Sequence, residues 1–218
     1  MTRLVRFDAS NVSFFPPGVT ESLLAGGMAI FPTDTLYGLG VDPRSPAGLA
    51  RLVAAKRREG GKPIPLLLDG PGRADSYAAD VCGAAARLME RFWPGALTIV
   101  FPALPSVPRA VTGGGATVGL RVPDHPVARA LARSLGGAVT GTSANRAGNP
   151  GVWREAEEIV REFTGEVDWV LWDGPSPGAA AGSAAAPSTV VRIEEGRAVL
   201  LREGAIPFRA VDEHLSRG

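Results

Sequence analysis

"TGTSANRAGNP" (Thr140–Pro150) follows a short apolar run, "GAV", and ends it with hydroxyls, an amide and glycines. An apolar run of that kind makes a buried strand, so the polar ending needs a reason. Either the hydroxyls bond nearby backbone in a tight turn, or Ser143 and Asn145 are presented to a ligand. What else converges on the same spot decides between the two. The flanks set the architecture. Upstream, "ALTIVF" and "TVGLRV" are strands, and "HPVARALARSLGG" is a helix headed by His125. Downstream come a helix around Arg154–Phe163 and strands at "DWVLW", "STVVRI" and "AVLLR", before an ill-defined tail.

Towards the amino terminus the alternation is regular. "TESLLAGG" is a short helix with Thr20 as its cap and Gly26-Gly27 as its stop. Met28–Phe31 is a strand running into the polar loop "PTDTLYGLG". "SPAGLARLVAAKRREGG" is the clearest helix: Ser45 suits the cap, Pro46 the first turn, and Leu49, Leu52 and Val53 form its apolar stripe. "PIPLLLDG" is a buried strand, and Ala74–Phe92 is expected as one long helix stopped by Pro94-Gly95. Strands and helices alternate at first and strands crowd the end. The expected fold is α/β, a twisted mixed sheet flanked by helices.

Composition narrows the function classes. A chain of 218 residues, 45% hydrophobic and 21% charged, has the profile of a soluble globular protein with ample core. Net charge is +1, so no global field draws it to nucleic acid or membrane, and any anion site must be a local cluster. One cysteine, Cys82, excludes an internal disulfide framework and points to a reducing compartment. "MTRLVRFDAS" lacks a signal-peptide core, and no apolar run reaches the ~18 residues a membrane span needs. A cytoplasmic location is expected. The low-complexity stretch Asp173–Ser188 is expected to be a mobile loop.

Familiar catalytic motifs are missing. There is no phosphate-binding G-x-x-x-x-G-K-[ST], no G-x-G-x-x-G opening a helix and no H-E-x-x-H. "GTSAN" departs from the serine-hydrolase elbow at Asn145, and the two histidines, His125 and His214, give Ser143 no evident base. What remains is cations and hydroxyls. Lys56, Arg57, Arg58 and Lys62 sit at a helix end and in the loop beyond. They either complement the helix dipole or meet a polyphosphate. Arg121 lies in an apolar strand and needs an anion, supplied by an aspartate or by a ligand. Thr33 and Thr35 lie just past a strand, where α/β sheets bind ligands. They too are either turn residues or ligand contacts.

Taken in order, "FPTDTLYGLG", "AAKRREGGKPIPLLL", "FWPGALTIV", "VGLRVPDHP", "TGTSANRAG" and "PSTVV" resemble the YrdC-type threonylcarbamoyl-AMP synthases from about Val19 to Gly204. Lys56-Arg57-Arg58 and Ser143-Ala144-Asn145 match that family's K-x-R and S-x-N signature. The resemblance implies a single domain over 1–218, of the short type, with a large basic cavity. It implies a nucleotidyltransferase that converts L-threonine, bicarbonate and ATP into L-threonylcarbamoyl-AMP and pyrophosphate. A tRNA threonylcarbamoyl transferase complex would then receive the activated group, for an adenosine beside the anticodon. Lys56, Arg58, Lys62, Thr117, Ser143, Asn145, Gly151 and Arg202 would hold ATP, with Lys56, Arg58, Ser143 and Asn145 carrying catalysis. Thr35, Leu67, Arg121, Gly141 and Ser188 would surround threonine, Arg121 pairing its carboxylate. Mg²⁺ would ride on the ATP phosphates without side-chain ligands. Gly151 stands where many relatives have serine. Weak RNA binding in the basic cavity is a second expectation, though near-zero net charge and the lack of a stacking-aromatic motif argue against it as the main role. A carbamoyl-transfer role in hydrogenase maturation is disfavoured, because the zinc-finger cysteines and extra domains of such proteins are absent.

Overall fold

The computed structural model describes residues 2–7, 16–56, 61–146, 151–177 and 186–216. The strands are β1 (Arg3–Arg6), β2 (Ala29–Phe31), β3 (Gly38–Gly40), β4 (Leu66–Leu68), β5 (Leu97–Pro102), β6 (Thr117–Arg121), β7 (Ala138–Thr140), β8 (Thr142–Ser143), β9 (Trp169–Trp172), β10 (Thr189–Glu194) and β11 (Arg197–Arg202). The helices are α1 (Pro17–Leu24), α2 (Pro46–Ala55), α3 (Gly83–Phe92), α4 (Arg109–Thr112), α5 (Pro126–Ser134), α6 (Ala156–Glu162) and α7 (Phe208–Ser216). The architecture is mixed α/β, with the strands divided between two sheets. One has the order β1-β9-β2-β3-β8 and the other β11-β10-β5-β6-β4-β7, each combining parallel and antiparallel pairs.

Period-two alternation explains why short strands suffice. In β2 and its approach, Met28 and Ile30 enter one apolar cluster and Ala29 and Phe31 the other. β9 does the same, with Val170 and Trp172 on one side and Trp169 and Leu171 on the other. Both faces are therefore buried. α1 and α5 cover one face through Val19, Leu23, Val127 and Leu131. α2, α3, α6 and α7 contribute Leu52, Leu88, Ile159 and Val211 to the larger cluster. Ser45 caps α2 by accepting from the Gly48 N–H at 3.1 Å, as its position before Pro46 suggests. Among the described residues no helix is long and apolar enough to cross a membrane.

The two sheets are joined at one residue. β7 pairs with β4 in the six-stranded sheet, and β8 pairs with β3 in the five-stranded one. Only Gly141 lies between them. The Thr140 N–H donates to the Val41 carbonyl at 3.1 Å, and the Val41 N–H donates to the Thr140 hydroxyl at 2.9 Å. A β-carbon on Gly40 would lie 2.2 Å from the Thr140 carbonyl oxygen, so the backbones meet there only because residue 40 has no side chain.

Several expectations need revision, the first being Thr20 as the cap of α1: Pro16 holds that position and Thr20 lies inside the helix. Ala74–Phe92 is not one helix: a 3₁₀ turn at Pro71–Ser76 precedes α3, which starts at Gly83. The segment between bonds back to Ala74 at its start and then to the end of β5. The Ala79 N–H donates to the Pro102 carbonyl at 2.9 Å, and Ala78 bridges to Ala103. The loop after Phe31 contains β3. Residues 3–6 form β1, parallel to β9. The tail folds as α7, with Val211 and Leu215 buried. The expected stop of the second helix at Gly60-Gly61 falls partly outside the described residues; α2 ends at Ala55 with Lys56 as its C-cap.

Gly40→Ala is expected to lower stability by about 3 kcal/mol, the upper range for overpacking. Urea unfolding checks this.

Candidate active site

Where the sheets meet they enclose a cavity of about 220 Å³. The loop from β2 to β3 supplies Thr33, Thr35 and Tyr37, and the other sheet supplies Leu67, Thr98 and Arg121. The junction itself supplies Gly141, Thr142 and Ser143, while Ser188 and Arg202 come from the β10–β11 end. A β-carbon on Gly141 would lie 2.5 Å from Leu67 Cγ, so glycine keeps this wall open and close-packed.

Arg121 is placed by strand alternation: Val118 and Leu120 point into the core, and Arg121 takes the opposite face. It is 5% exposed. Its Nε donates to the Gly95 carbonyl at 2.9 Å, Nη1 to the Thr35 hydroxyl at 3.0 Å, and Nη2 to Asp34 Oδ1 at 2.6 Å. The anion that a buried arginine requires is thus Asp34. Burial pulls the Arg121 pKa below the ordinary arginine range, Asp34 opposes that pull, and the nearby Arg202 charge adds to it. Thr35 is held in turn by Thr33, whose hydroxyl accepts from the Thr35 N–H at 3.1 Å and donates to the Leu36 carbonyl at 2.5 Å.

Arg202 and Ser188 form a second group. Arg202 Nη2 donates to the Ser188 carbonyl at 2.7 Å and to its hydroxyl at 3.2 Å, and that hydroxyl lies 2.9 Å from the Thr98 hydroxyl. Burial lowers the Arg202 pKa as well. Beside the cavity, Lys56 Nζ donates to the Ser143 carbonyl at 2.9 Å, to the Asn145 carbonyl and to Asn145 Oδ1 at 3.2 Å. The Ser143 hydroxyl donates to Asn145 Oδ1 at 2.6 Å. The turn and the ligand wall suggested by "TGTSAN" are therefore compatible: a tight turn carries Ser143 to the cavity rim.

Of the residues singled out in the sequence, Thr35, Leu67, Arg121, Gly141, Ser143, Ser188 and Arg202 line the cavity. Lys56 and Asn145 reach it through Ser143. Thr117 is half-buried at the start of β6, on the face of Arg121 but off the cavity wall. Lys62 is exposed, one residue before the cavity-lining Pro63. Gly151 (φ 74°) packs behind Asn145, where a β-carbon would lie 3.0 Å from Asn145 Cβ. Arg57 and Arg58 lie outside the described residues.

Sequence reasoning passed over Tyr37, Asp34 and Thr98. Tyr37 stacks on Trp172, centroids 5.2 Å apart, and shares its hydroxyl proton between the Gly174 carbonyl (2.7 Å) and Asp173 Oδ1 (3.0 Å). Burial first, and the Asp173 charge second, push its pKa far above that of an ordinary phenol. His125 Nε2 lies 2.8 Å from Asp173 Oδ2. The Ser143 hydroxyl, for its part, donates to Asn145 Oδ1 rather than to a histidine. Among the described residues no group of three His, Cys, Asp or Glu is placed to hold a metal.

Fold and site together define an α/β protein whose two sheets close on a hydroxyl-lined, arginine-bearing cavity. The Sua5/YciO/YrdC family model, described as telomere recombination, matches residues 21–204, and the chain belongs to that family. It is 38% identical to the threonylcarbamoyl-AMP synthase of Thiobacillus denitrificans, over 83% of this chain and 92% of that protein. It is 44% identical to the enzyme of the same name from Alkalilimnicola ehrlichii, over 59% of this chain and 66% of that protein. The crystal structure of Pyrococcus abyssi Sua5 complexed with L-threonine superposes with a TM-score of 0.82 at 26% identity, covering 98% of this chain and 61% of that one.

Two outcomes follow from the geometry. Asp34→Ala leaves a buried guanidinium without its counter-charge and is expected to cost about 3 kcal/mol or more in denaturant unfolding, with Asp34→Asn milder. Above pH 10.0, the ordinary tyrosine value, the unfolded chain loses the Tyr37 proton while the folded protein keeps it. Stability should then fall by about 1.4 kcal/mol per pH unit for that one group. Tyr37→Phe should flatten this alkaline slope in thermal melts between pH 9 and 12, roughly the range bracketing tyrosine ionisation.

Proposed function

We propose that this chain is an L-threonylcarbamoyladenylate synthase that joins L-threonine, bicarbonate and ATP and releases pyrophosphate. The observation that supports it is convergence. Guanidiniums of Arg121 and Arg202, hydroxyls of Thr35, Ser143 and Ser188, and the Lys56-held turn at Ser143–Asn145 meet around one cavity. Its volume, about 220 Å³, lies below the roughly 300–1,000 Å³ of drug-sized sites and suits an amino acid at the closed end.

In this reading threonine lies against Thr35, Leu67, Arg121, Gly141 and Ser188. Its carboxylate takes N–H donors of Arg121 that the bonds to Asp34, Thr35 and Gly95 leave over. The triphosphate lies on the side of Lys56, Arg58, Lys62, Ser143 and Asn145, with Thr117, Gly151 and Arg202 completing the nucleotide site. The free amine of threonine condenses with bicarbonate to a carbamate, with loss of water. A carbamate oxygen then attacks the α-phosphorus, and the bond to pyrophosphate breaks. No side-chain nucleophile is required. The chain's contribution is to hold two anions at reacting distance and to stabilise charge on the phosphoryl oxygens. Arg121 and Arg202 screen the repulsion, and the hydroxyls orient without adding charge. Mg²⁺ belongs with the incoming ATP as part of the substrate; Asp34, between the cavity-lining Thr33 and Thr35, is committed to Arg121. The product passes to a tRNA threonylcarbamoyl transferase, which uses it to modify adenosine.

Pyrophosphate release is expected only when ATP, threonine and bicarbonate are all present; ATP turnover indifferent to threonine would reject the assignment. Ser143→Ala and Arg58→Ala should each lower turnover by roughly 10²-fold, as loss of a charge-stabilising donor does. Circular dichroism of both variants should match the parent.

A further inference from the structure

The turn at Ser143–Asn145 is a three-residue one. The Asn145 N–H donates to the Ser143 carbonyl at 3.0 Å, so Ala144 is the apex, and it is 1% exposed. Three successive carbonyls point in two directions. Those of Ser143 and Asn145 accept from Lys56 Nζ, and that of Ala144 accepts from the Trp153 indole N–H at 2.9 Å. The Ala144 N–H is also engaged, donating to the Tyr37 carbonyl at 2.7 Å.

Trp153 is itself pinned. It is 5% exposed, with its ring edge-on to Phe163 at 6.5 Å. Its N–H donates to the Ser176 hydroxyl and its carbonyl accepts from the Ser176 N–H, both at 2.8 Å. Two residues before Ser176, the Gly174 carbonyl accepts from the Tyr37 hydroxyl. Tyr37, Ala144, Trp153 and the 174–176 segment thus form a closed circuit of hydrogen bonds that meets the cavity at Tyr37.

We propose that Trp153 is a positioning residue for the nucleotide side of this site. Resting on the functional reading above, it acts through Ala144 and touches no substrate. A single hydrogen bond across a three-residue turn does not fix which way its flanking side chains face. Opposed pulls on alternate carbonyls do, outward by the Lys56 ammonium and inward by the indole. Without the indole N–H, the buried Ala144 carbonyl loses its partner and the peptide is held less firmly, through the Asn145 N–H bond to the Ser143 carbonyl. Ser143 and Asn145 then lose their aim at phosphate. The threonine side, held by Arg121, Thr35 and Asp34, does not depend on this bond.

The test uses the chain of residues 1–218. Trp153→Phe keeps an aromatic ring and removes only the donor and the second ring. Ser176→Ala loosens the same indole with less effect on packing and serves if the first variant folds poorly. Trp169→Phe, in the other apolar cluster, controls for loss of an indole elsewhere. Pyrophosphate release is measured with ATP varied at saturating threonine and then with threonine varied at saturating ATP, and ATP binding is measured by calorimetry. In Trp153→Phe, kcat/KM for ATP is expected to fall by about 10- to 100-fold, as for a small misplacement of a catalytic group. KM for threonine should stay within about twofold, and Ser176→Ala should show the same selectivity with a smaller loss. Wild-type protein that releases no pyrophosphate in response to threonine overturns the functional reading. Active wild type, with Trp153→Phe and Ser176→Ala both binding and turning over ATP normally, overturns the positioning role. Equal losses on the ATP and threonine axes also overturn it, since they mark general destabilisation.

Discussion

The structure depends on the close approach of Gly40 to Thr140. There the backbone of β3 meets the last residue of β7, and the reciprocal bonds between Val41 and Thr140 tie one sheet to the other. The next residue, Gly141, lets the chain leave one sheet and enter the other without a loop. Much of the cavity is arranged about this junction. Thr35 and Tyr37 stand on one side of it, Leu67 and Arg121 on the other, and Ser143 emerges directly from it.

The cavity lining carries two guanidiniums in a chain of almost no net charge. Two guanidiniums are held partly or wholly out of water, and each has its pKa lowered by burial. Asp34 balances Arg121, while Arg202 is satisfied by the neutral oxygens of Ser188. The local excess is positive although 23 basic residues face 22 acidic ones overall. Arg121 is the buried one of the two, where little water is present to screen its charge.

Much of this was legible in the sequence wherever a local pattern suffices. Apolar runs marked β2, β4, β5, β6, β9 and β10, and Ser45-Pro46 marked the start of α2. Elements held by distant partners were not legible. β3 is two glycines around a leucine, and it is a strand because β2 and β8 flank it. β1 is short and half charged, and it exists through β9. The Ala74–Phe92 stretch has helical composition, yet its first part bonds to the end of β5. The same limit applied to the site. The lone arginine in β6 announced a need for an anion, but which aspartate answers it depends on how the sheets dock. The motif residues that converge on the cavity were identifiable only as an ordered set, since each alone also suits an ordinary turn or helix end. Trp153 gave no signal, because its role lies in one bond to the backbone of a residue that carries only a methyl.

The contact between Thr35 and Arg121 spans the two sheets, so the clamp is absent from either sheet alone. A molecule seated there acts as a non-covalent staple between the halves of the protein. Its affinity is spent on keeping them docked, and the melting temperature should climb with the logarithm of its concentration once the site is saturated.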